Sequence, residues 1–116
     1  MAYRRWLVLA AGGLLCLVPP HAWANPAQER LAAMSEVDRS EALAIFVESS
    51  GQVCRAVART FFQGEDEKGN VFWNVECSGG QSYVVQIKND LNGSTRVLTC
   101  RRLEAVSEGR CFKKLE

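Results

Sequence analysis

The chain has 116 residues with 14 basic and 13 acidic side chains, so its net charge is close to neutral. This length accommodates one small domain but leaves little room for both a hydrophobic core and a deep substrate cleft. The charge balance argues against nucleic acid as a partner, because nucleic-acid binding relies on a strongly basic surface.

The first 24 residues have the pattern of a secretory signal peptide. Residues 1–5 include two arginines, and residues 7–18 form an apolar run shorter than a bilayer span requires. Ala22 and Ala24 supply the small residues that precede a cleavage site. We therefore expect cleavage after Ala24 and export to the periplasm, without stable membrane insertion afterwards. Retention of the segment as an uncleaved anchor is the alternative.

Cleavage leaves a mature chain, residues 25–116, with four cysteines and no histidine, because Cys16 and His21 belong to the removed segment. In an oxidising compartment, an even number of cysteines is typical of a disulfide framework. The mature chain also lacks the imidazole side chain that most often transfers protons and binds metals near neutral pH.

The N-terminal segment, residues 25–48, is predicted to be helical, in one or two pieces. Ser35 is followed three residues later by Asp38, which is a capping pattern at the start of a helix. Leu43 and Val47 recur at helical spacing and are expected to face the core.

A further helix is predicted over residues 50–63, at the start of a domain that spans residues 49–116. Its apolar residues recur every four positions from Val53 to Phe61, and Cys54 lies on the same side. Gly64 is expected to end this helix.

From residue 71 the hydrophobic period changes from 3.6 to two, which indicates strands. Three strands of an antiparallel meander are predicted, over residues 71–77, 82–88 and 95–103. In the first hairpin, only an odd-numbered loop pairs Val75 with Tyr83 and places both apolar sets on one face. We therefore expect a three-residue or five-residue loop with Gly80 at positive φ.

The meander restricts how the four cysteines can pair. Cys77 and Cys100 lie on the first and third strands, and two strand spacings of about 4.8 Å exceed the reach of a disulfide. We therefore predict one bridge from Cys54 to Cys77, tying helix to sheet, and one from Cys100 to Cys111, tying the C-terminal tail to the third strand. A different strand order would reopen the Cys77 to Cys100 pairing.

Motifs for catalysis, cofactors and metals are incomplete. No Cys-x-x-Cys pair is present, and Asp90, Asn92 and Gly93 match only a fragment of a calcium loop. The serines have no histidine base to activate them. We expect no catalytic residue, no cofactor and no metal site, although weak cation binding at the acidic residues 65–67 is an alternative.

The candidate partner surface combines an aromatic residue with a basic tail. Phe72 lies on the strand face opposite Trp73, so it must be covered by the chain itself or by a partner. The other candidate residues are Arg101, Arg102, Arg110, Phe112, Lys113 and Lys114. We expect a protein partner in the periplasm, with phospholipid headgroups and peptidoglycan acids as alternatives.

Several segments carry a resemblance to known proteins. The run from Phe72 through Trp73, Asn74 and Val75 to Cys77 and Ser78, together with Cys54-Arg55-Ala56-Val57 and Tyr83-Val84-Val85, resembles a family of small exported proteobacterial proteins of uncharacterised function. A helix followed by a three-stranded meander is also similar in topology to PepSY modules, which occur in exported inhibitors and propeptides. No site residue is implied by either resemblance.

Taken together, the sequence predicts an α+β domain in which N-terminal helices pack on one face of a three-stranded antiparallel meander stapled by disulfides. The function it favours is that of a small, non-catalytic periplasmic interaction or accessory protein, inhibitor-like or chaperone-like. The alternative is a redox or metal-handling protein that uses its cysteines.

Overall fold

The computed structural model describes residues 24–115, and the predicted signal peptide lies outside this range except for Ala24. The described residues form one four-stranded antiparallel sheet with strand order β1-β2-β3-β4, together with three helices. The α+β class is confirmed, but the sheet has four strands and not the predicted three. The elements in chain order are α1 (Pro26–Ala33), α2 (Glu36–Ser49), β1 (Val57–Glu65), β2 (Val71–Cys77), β3 (Ser82–Ile87), β4 (Thr95–Thr99) and α3 (Cys100–Val106).

The N-terminal helical segment is confirmed and consists of two pieces. The Ser35 hydroxyl accepts a hydrogen bond from the backbone N–H of Asp38 at 3.1 Å, so this serine caps α2 as its spacing predicted. Leu43 and Val47 are fully buried within the core cluster. The apolar side of α2 therefore attaches the helix to the sheet.

Asn25 fixes the start of α1 against the sheet. Its side-chain oxygen accepts from the backbone N–H of Gln28 at 3.1 Å, which caps the helix. Its amide nitrogen donates to the carbonyl oxygens of Gly69 and Ile87 at 3.1 and 3.0 Å. Because Asn25 is buried, these bonds satisfy polar groups that water does not reach.

The core lies between helices α1 and α2 and one face of the sheet, here called the first face. Alternate residues of β2 and β3, among them Trp73, Val75 and Val85, point into it and are buried. The indole nitrogen of Trp73 donates to the side-chain oxygen of Gln28 at 2.8 Å, so its one polar group is satisfied. The two N-terminal helices, α1 and α2, therefore pack on the first face of the sheet.

The predicted helix over residues 50–63 is wrong, because Val57–Glu65 form the edge strand β1. This strand pairs with β2 in an antiparallel register that sets Thr60 opposite Val75 and Phe61 opposite Asn74. The stripe of Val53, Val57 and Phe61 that favoured a helix also fits a strand, since β-branched and aromatic residues are frequent in strands. Hydrogen bonding to β2 favours the strand over the helix for this segment.

Gly64 does not end a helix. Instead, the register of β1 against β2 shifts between Phe62 and Gly64. Gly64 has φ near +143°, a region that favours glycine. A Cβ atom at this position would lie 3.2 Å from the side chain of Leu115, so the absence of a side chain also allows the C-terminal residues to approach.

The β2–β3 hairpin follows the predicted parity. Val75 faces Tyr83, Trp73 faces Val85, and Cys77 donates its backbone N–H to the carbonyl of Gln81. The loop between Cys77 and Gln81 therefore has three residues, and Gly80 has φ near +95°.

The last predicted strand is shorter than expected. Residues Thr95–Thr99 form β4, but the chain turns into helix α3 at Cys100. The Thr99 hydroxyl accepts from the backbone N–H of Arg102 at 3.0 Å and caps this helix. The prediction that this strand continues to residue 103 is wrong. The composition of residues 100–103 favours a strand, but the cap at Thr99 starts a helix there.

Both predicted disulfides are present. Cys54 pairs with Cys77 and Cys100 pairs with Cys111, with Cα separations of 5.3 and 5.8 Å. The first bridge ties β2 to the loop that precedes β1, and not to a helix. The second ties the start of α3, and not a strand, to the C-terminal residues.

Candidate functional site

The C-terminal segment, residues 108–115, crosses the sheet on its second face, opposite α1 and α2. The side-chain nitrogen of Gln63 donates to the carbonyl oxygen of Arg110 at 2.7 Å. The backbone N–H of Phe112 donates to the side-chain oxygen of Asn74 at 2.6 Å, and that of Leu115 donates to the carbonyl of Gln63 at 2.9 Å. The sheet therefore holds the backbone of this segment at three points.

Gln63 and Asn74 form a buried amide pair beneath the C-terminal segment. The Asn74 amide nitrogen donates to the side-chain oxygen of Gln63 at 3.0 Å, and the two residues are only 0% and 2% exposed, respectively. Gln63 falls at the register shift of β1, which places its side chain over Asn74. Because buried amides need partners, the backbone of the C-terminal segment completes this pair.

Phe112 is packed inward and is not a free aromatic contact for a partner. Its ring lies 6.2 Å from the ring of Phe61, and the guanidinium carbon of Arg59 lies 3.7 Å from its ring centroid. Arg59 is held in turn by an ion pair with Glu76 at 3.1 Å. Phe112 has φ near +61°, an uncommon value for a residue with a side chain, which these contacts stabilise.

Three of the predicted basic residues lie together. Arg110, Lys113 and Lys114 line a cavity of about 430 Å³ with Gln63, Leu115 and Glu108. The Lys114 ammonium also donates to the carbonyl of Phe62 at 3.1 Å. We call Arg110, Lys113 and Lys114 the basic face. These residues belong to a segment whose backbone is held by hydrogen bonds to the sheet.

The other predicted surface residues lie elsewhere. Arg101 lines a separate cavity of about 340 Å³ with Gly80 and Tyr83, and Arg102 is exposed on α3. Phe72 is half-buried and lines a third cavity, of about 620 Å³, with residues of the acidic turn and with Leu115. The candidate surface is thus divided, with Leu115 bordering both the basic face and the cavity at Phe72.

The cations of the candidate surface form no salt bridge within the described part of the chain. Among residues 24–115 the salt bridge between Arg59 and Glu76 is the only one present. Arg110 and Lys113 are therefore available to a ligand. Lys114 is engaged by the carbonyl of Phe62 and lies over the rings of Phe61 and Phe62, and the carboxylate of Glu108 lines the same cavity.

The acidic turn at residues 65–70 has a structural role at Asp66. One carboxylate oxygen accepts from the backbone N–H groups of Lys68 and Asn70, and the other accepts from the Asn70 side chain. Partial burial opposes ionisation, but these hydrogen bonds outweigh it and lower the pKa of Asp66. Both oxygens are thus already engaged with the turn.

Asp90 repeats this arrangement before β4. Its carboxylate accepts from the backbone N–H of Ser94 at 3.1 Å, and this bond is the main cause that lowers the pKa of Asp90. Gly69 and Gly93 both adopt positive φ in the two turns. Within the described part of the chain, no group of three or more His, Cys, Asp or Glu residues is placed to hold a metal ion.

The sequence carries one signal for the amide pair. Asn74 stands within Val71–Cys77, where the residues around it are almost all apolar, and a polar residue in such a run needs a specific partner. Gln63 carries no comparable signal, because its burial depends on the β1 register shift.

Comparison with known proteins gives no match: no family model, no curated protein and no solved structure is similar to this chain.

Proposed function

We propose that this protein is a small, exported, non-catalytic interaction protein of the periplasm, in an accessory role such as an inhibitor or a chaperone-like factor. Its partner is a protein with an acidic surface, which it binds through the basic face. The signal peptide pattern and cleavage after Ala24 form part of this proposal.

The main support for the proposal is that the C-terminal segment has a fixed backbone and presents basic side chains that form no ion pair. Arg110, Lys113 and Lys114 form no ion pair with any residue from 24 to 115, yet Gln63 and Asn74 hold the segment that presents them. Charges on an ordered backbone lose less conformational entropy on binding than charges on a mobile tail. Such a surface favours recognition of a complementary acidic patch.

The disulfides support the proposed compartment, and the composition of the mature chain supports the proposed class. The two disulfides indicate an oxidising environment. No helix within residues 24–115 is long and apolar enough to cross a membrane. The absence of histidine from residues 25–116 removes the commonest general base and supports a non-catalytic role.

The redox or metal-handling alternative requires free thiolates, since the thiolate is the reactive form of cysteine. In the structure Cys54, Cys77, Cys100 and Cys111 are all engaged in disulfides. This alternative therefore depends on opening at least one bridge.

Charge reversal tests the proposed binding face. The double variant Arg110→Glu and Lys113→Glu leaves the hydrogen bonds of Gln63 and Lys114 in place, because these use the backbone of Arg110 and the side chain of Lys114. In affinity purification of the tagged mature chain from periplasm, we expect recovery of the partner to fall at least about tenfold.

The matched control is the double variant Arg30→Glu and Lys88→Glu, which makes the same change of net charge at exposed positions away from the basic face. This control is expected to recover the partner as the wild type does. Equal loss in both variants, or no loss in either, would contradict a specific role for the basic face.

A further inference from the structure

A groove runs between helix α2 and the outer edge of the sheet. Glu36, Val37, Glu41 and Ala44 form its helix wall, residues 55–60 form its strand wall, and the cavity between them measures about 530 Å³. It lies apart from the basic face, with which it shares no lining residue.

From Val57 onward, the strand wall is the outer edge of the sheet. Among residues 24–115, β1 pairs only with β2, and it stands first in the strand order. In an antiparallel sheet, the backbone groups of successive residues point alternately to the two neighbouring strands. The backbone N–H of Cys77 donates to the carbonyl of Gln81, on the side of β3. The backbone groups of every second β2 residue counted from Cys77 therefore point to β3, and those of Glu76 and Asn74 point to β1.

This alternation fixes which β1 groups point outward. Arg59 and Phe61 pair with Glu76 and Asn74, so their backbone groups face β2. The N–H and carbonyl of Thr60, between them, therefore point away from the sheet into the groove. The carbonyl of Phe62 also points outward, since it accepts from Lys114 at 3.1 Å.

The chain itself shows how the downstream part of this edge is covered. Lys114 donates to the carbonyl of Phe62, and the backbone N–H of Leu115 donates to the carbonyl of Gln63. A basic, irregular segment thus satisfies the edge beyond residue 61. The upstream part, beside α2, has no such cover within residues 24–115.

The chemistry of the walls identifies the occupant. On the helix wall, Glu36 and Glu41 place two carboxylates beside Val37, an apolar side chain that is 68% exposed. On the strand wall, the guanidinium of Arg59 is already engaged by Glu76, which leaves Arg55 as its free cation. The balance favours a ligand whose side chains toward α2 are Lys or Arg, with charged ends near the two carboxylates and aliphatic stems along Val37.

We infer that this groove binds an extended segment of a partner protein, with alternating small apolar and Lys or Arg side chains, as an added strand on β1. The added strand bonds to the outward groups around Thr60, and its basic side chains lie against Glu36 and Glu41. A second copy of the chain fits less well, because symmetric β1 pairing brings two acidic α2 helices together on one face. This inference does not depend on the basic face.

The first test uses a fluorescently labelled synthetic peptide of about six residues, the length of a typical strand, that alternates lysine and valine. Anisotropy measures its affinity, and amide chemical shifts locate it. We expect shifts at residues 36–44 and 55–60, and binding at least about tenfold weaker for the peptide with glutamate in place of lysine.

Backbone methylation gives a geometric test of strand addition. Two versions of the peptide carry N-methyl groups on the lysine amides or on the valine amides. Because alternate N–H groups of a strand point to opposite edges, only one version is expected to lose binding. Equal effects of both, no binding by the unmethylated peptide, or shifts confined to residues 108–115 would each overturn the inference.

Two exposed apolar residues of α2 supply a matched pair of variants. Val37→Lys places a positive charge in the groove and is expected to weaken binding of the basic peptide about tenfold. Ile45→Lys makes the same change at a residue that is 60% exposed on α2 but does not line the groove, and is expected to leave binding unchanged. Identical affinities of these two variants would contradict the groove site.

The variant with Arg110→Glu and Lys113→Glu separates this inference from the proposed function. It is expected to bind the peptide at least as well as the wild type does, because the changed residues line a different cavity. Loss of peptide binding in this variant would assign the peptide to the basic face and overturn the groove site.

Discussion

Replacing Cys54 and Cys77 together by alanine is expected to lower the free energy of unfolding by about 3 kcal/mol. The bridge joins residues 23 positions apart, and without it the unfolded chain regains the freedom of that loop. Both cysteines are buried within the core cluster, so the variant also loses packing at the end of β2. Chemical denaturation of the mature domain, followed by tryptophan fluorescence, measures the change.

Replacing Cys100 and Cys111 by alanine is the comparison for this prediction. This bridge closes a shorter loop, with a separation of 11 positions, and Cys111 is only half-buried. We expect a smaller shift of the unfolding midpoint, accompanied by faster proteolysis after Arg110, Lys113 and Lys114. A larger loss of stability from this pair than from Cys54 and Cys77 would contradict the assignment of the first bridge to the core.

Asn74→Ala is expected to lower the free energy of unfolding by about 2–4 kcal/mol and to release the C-terminal segment. The substitution removes the acceptor of the Phe112 N–H and the donor to Gln63, and leaves a buried amide without one of its partners. Denaturation measures the loss of stability. Amide hydrogen exchange at Phe112 and Leu115 is expected to accelerate more than exchange in β3.

Gln86→Ala supplies the control on the same face of the sheet. Gln86 lies opposite Phe72 on β3, is half-buried and is not part of the amide pair. Its replacement is expected to change stability by less than about 1 kcal/mol and to leave exchange at Phe112 unaltered. Equal effects of the two substitutions would show that the amide pair does not hold the C-terminal segment.

Local signals were enough to predict that the N-terminal segment is helical and that β2 and β3 form a hairpin. Ser35 caps α2 through the hydrogen bond that its spacing to Asp38 suggests. The pairing of Val75 with Tyr83 followed from the requirement that both apolar sets share one face. Both predictions rest on residues close together in the sequence.

The strand β1 could not be recognised from its sequence pattern. Register shifts between Val57 and Arg59 and between Phe62 and Gly64 interrupt the period of two that identifies a strand. With that alternation broken, the apolar residues four positions apart fitted a helix. The conformation is decided by pairing with β2, which local propensity does not encode.

The basic residues of the candidate site were predicted from the sequence, but the residues that hold their backbone in place were not. The basic residues of the C-terminal segment and the bridge from Cys100 to Cys111 were visible in the sequence. The anchoring of that segment depends on Gln63 and Asn74, which come together only when β1 pairs with β2. Phe112 was expected to face a partner, whereas Phe61 and Arg59 hold its ring within the chain.

We propose that the mature chain is an exported domain cross-linked by two disulfides. Non-reducing mass spectrometry of the protein purified from its native compartment tests this claim. We expect a periplasmic chain that begins at Asn25, with the Cys54 peptide joined to that of Cys77, the Cys100 peptide joined to that of Cys111, and no free thiol. A cytosolic chain that begins at Met1, with reduced or metal-bound cysteines, would contradict the claim and favour the redox or metal-handling alternative.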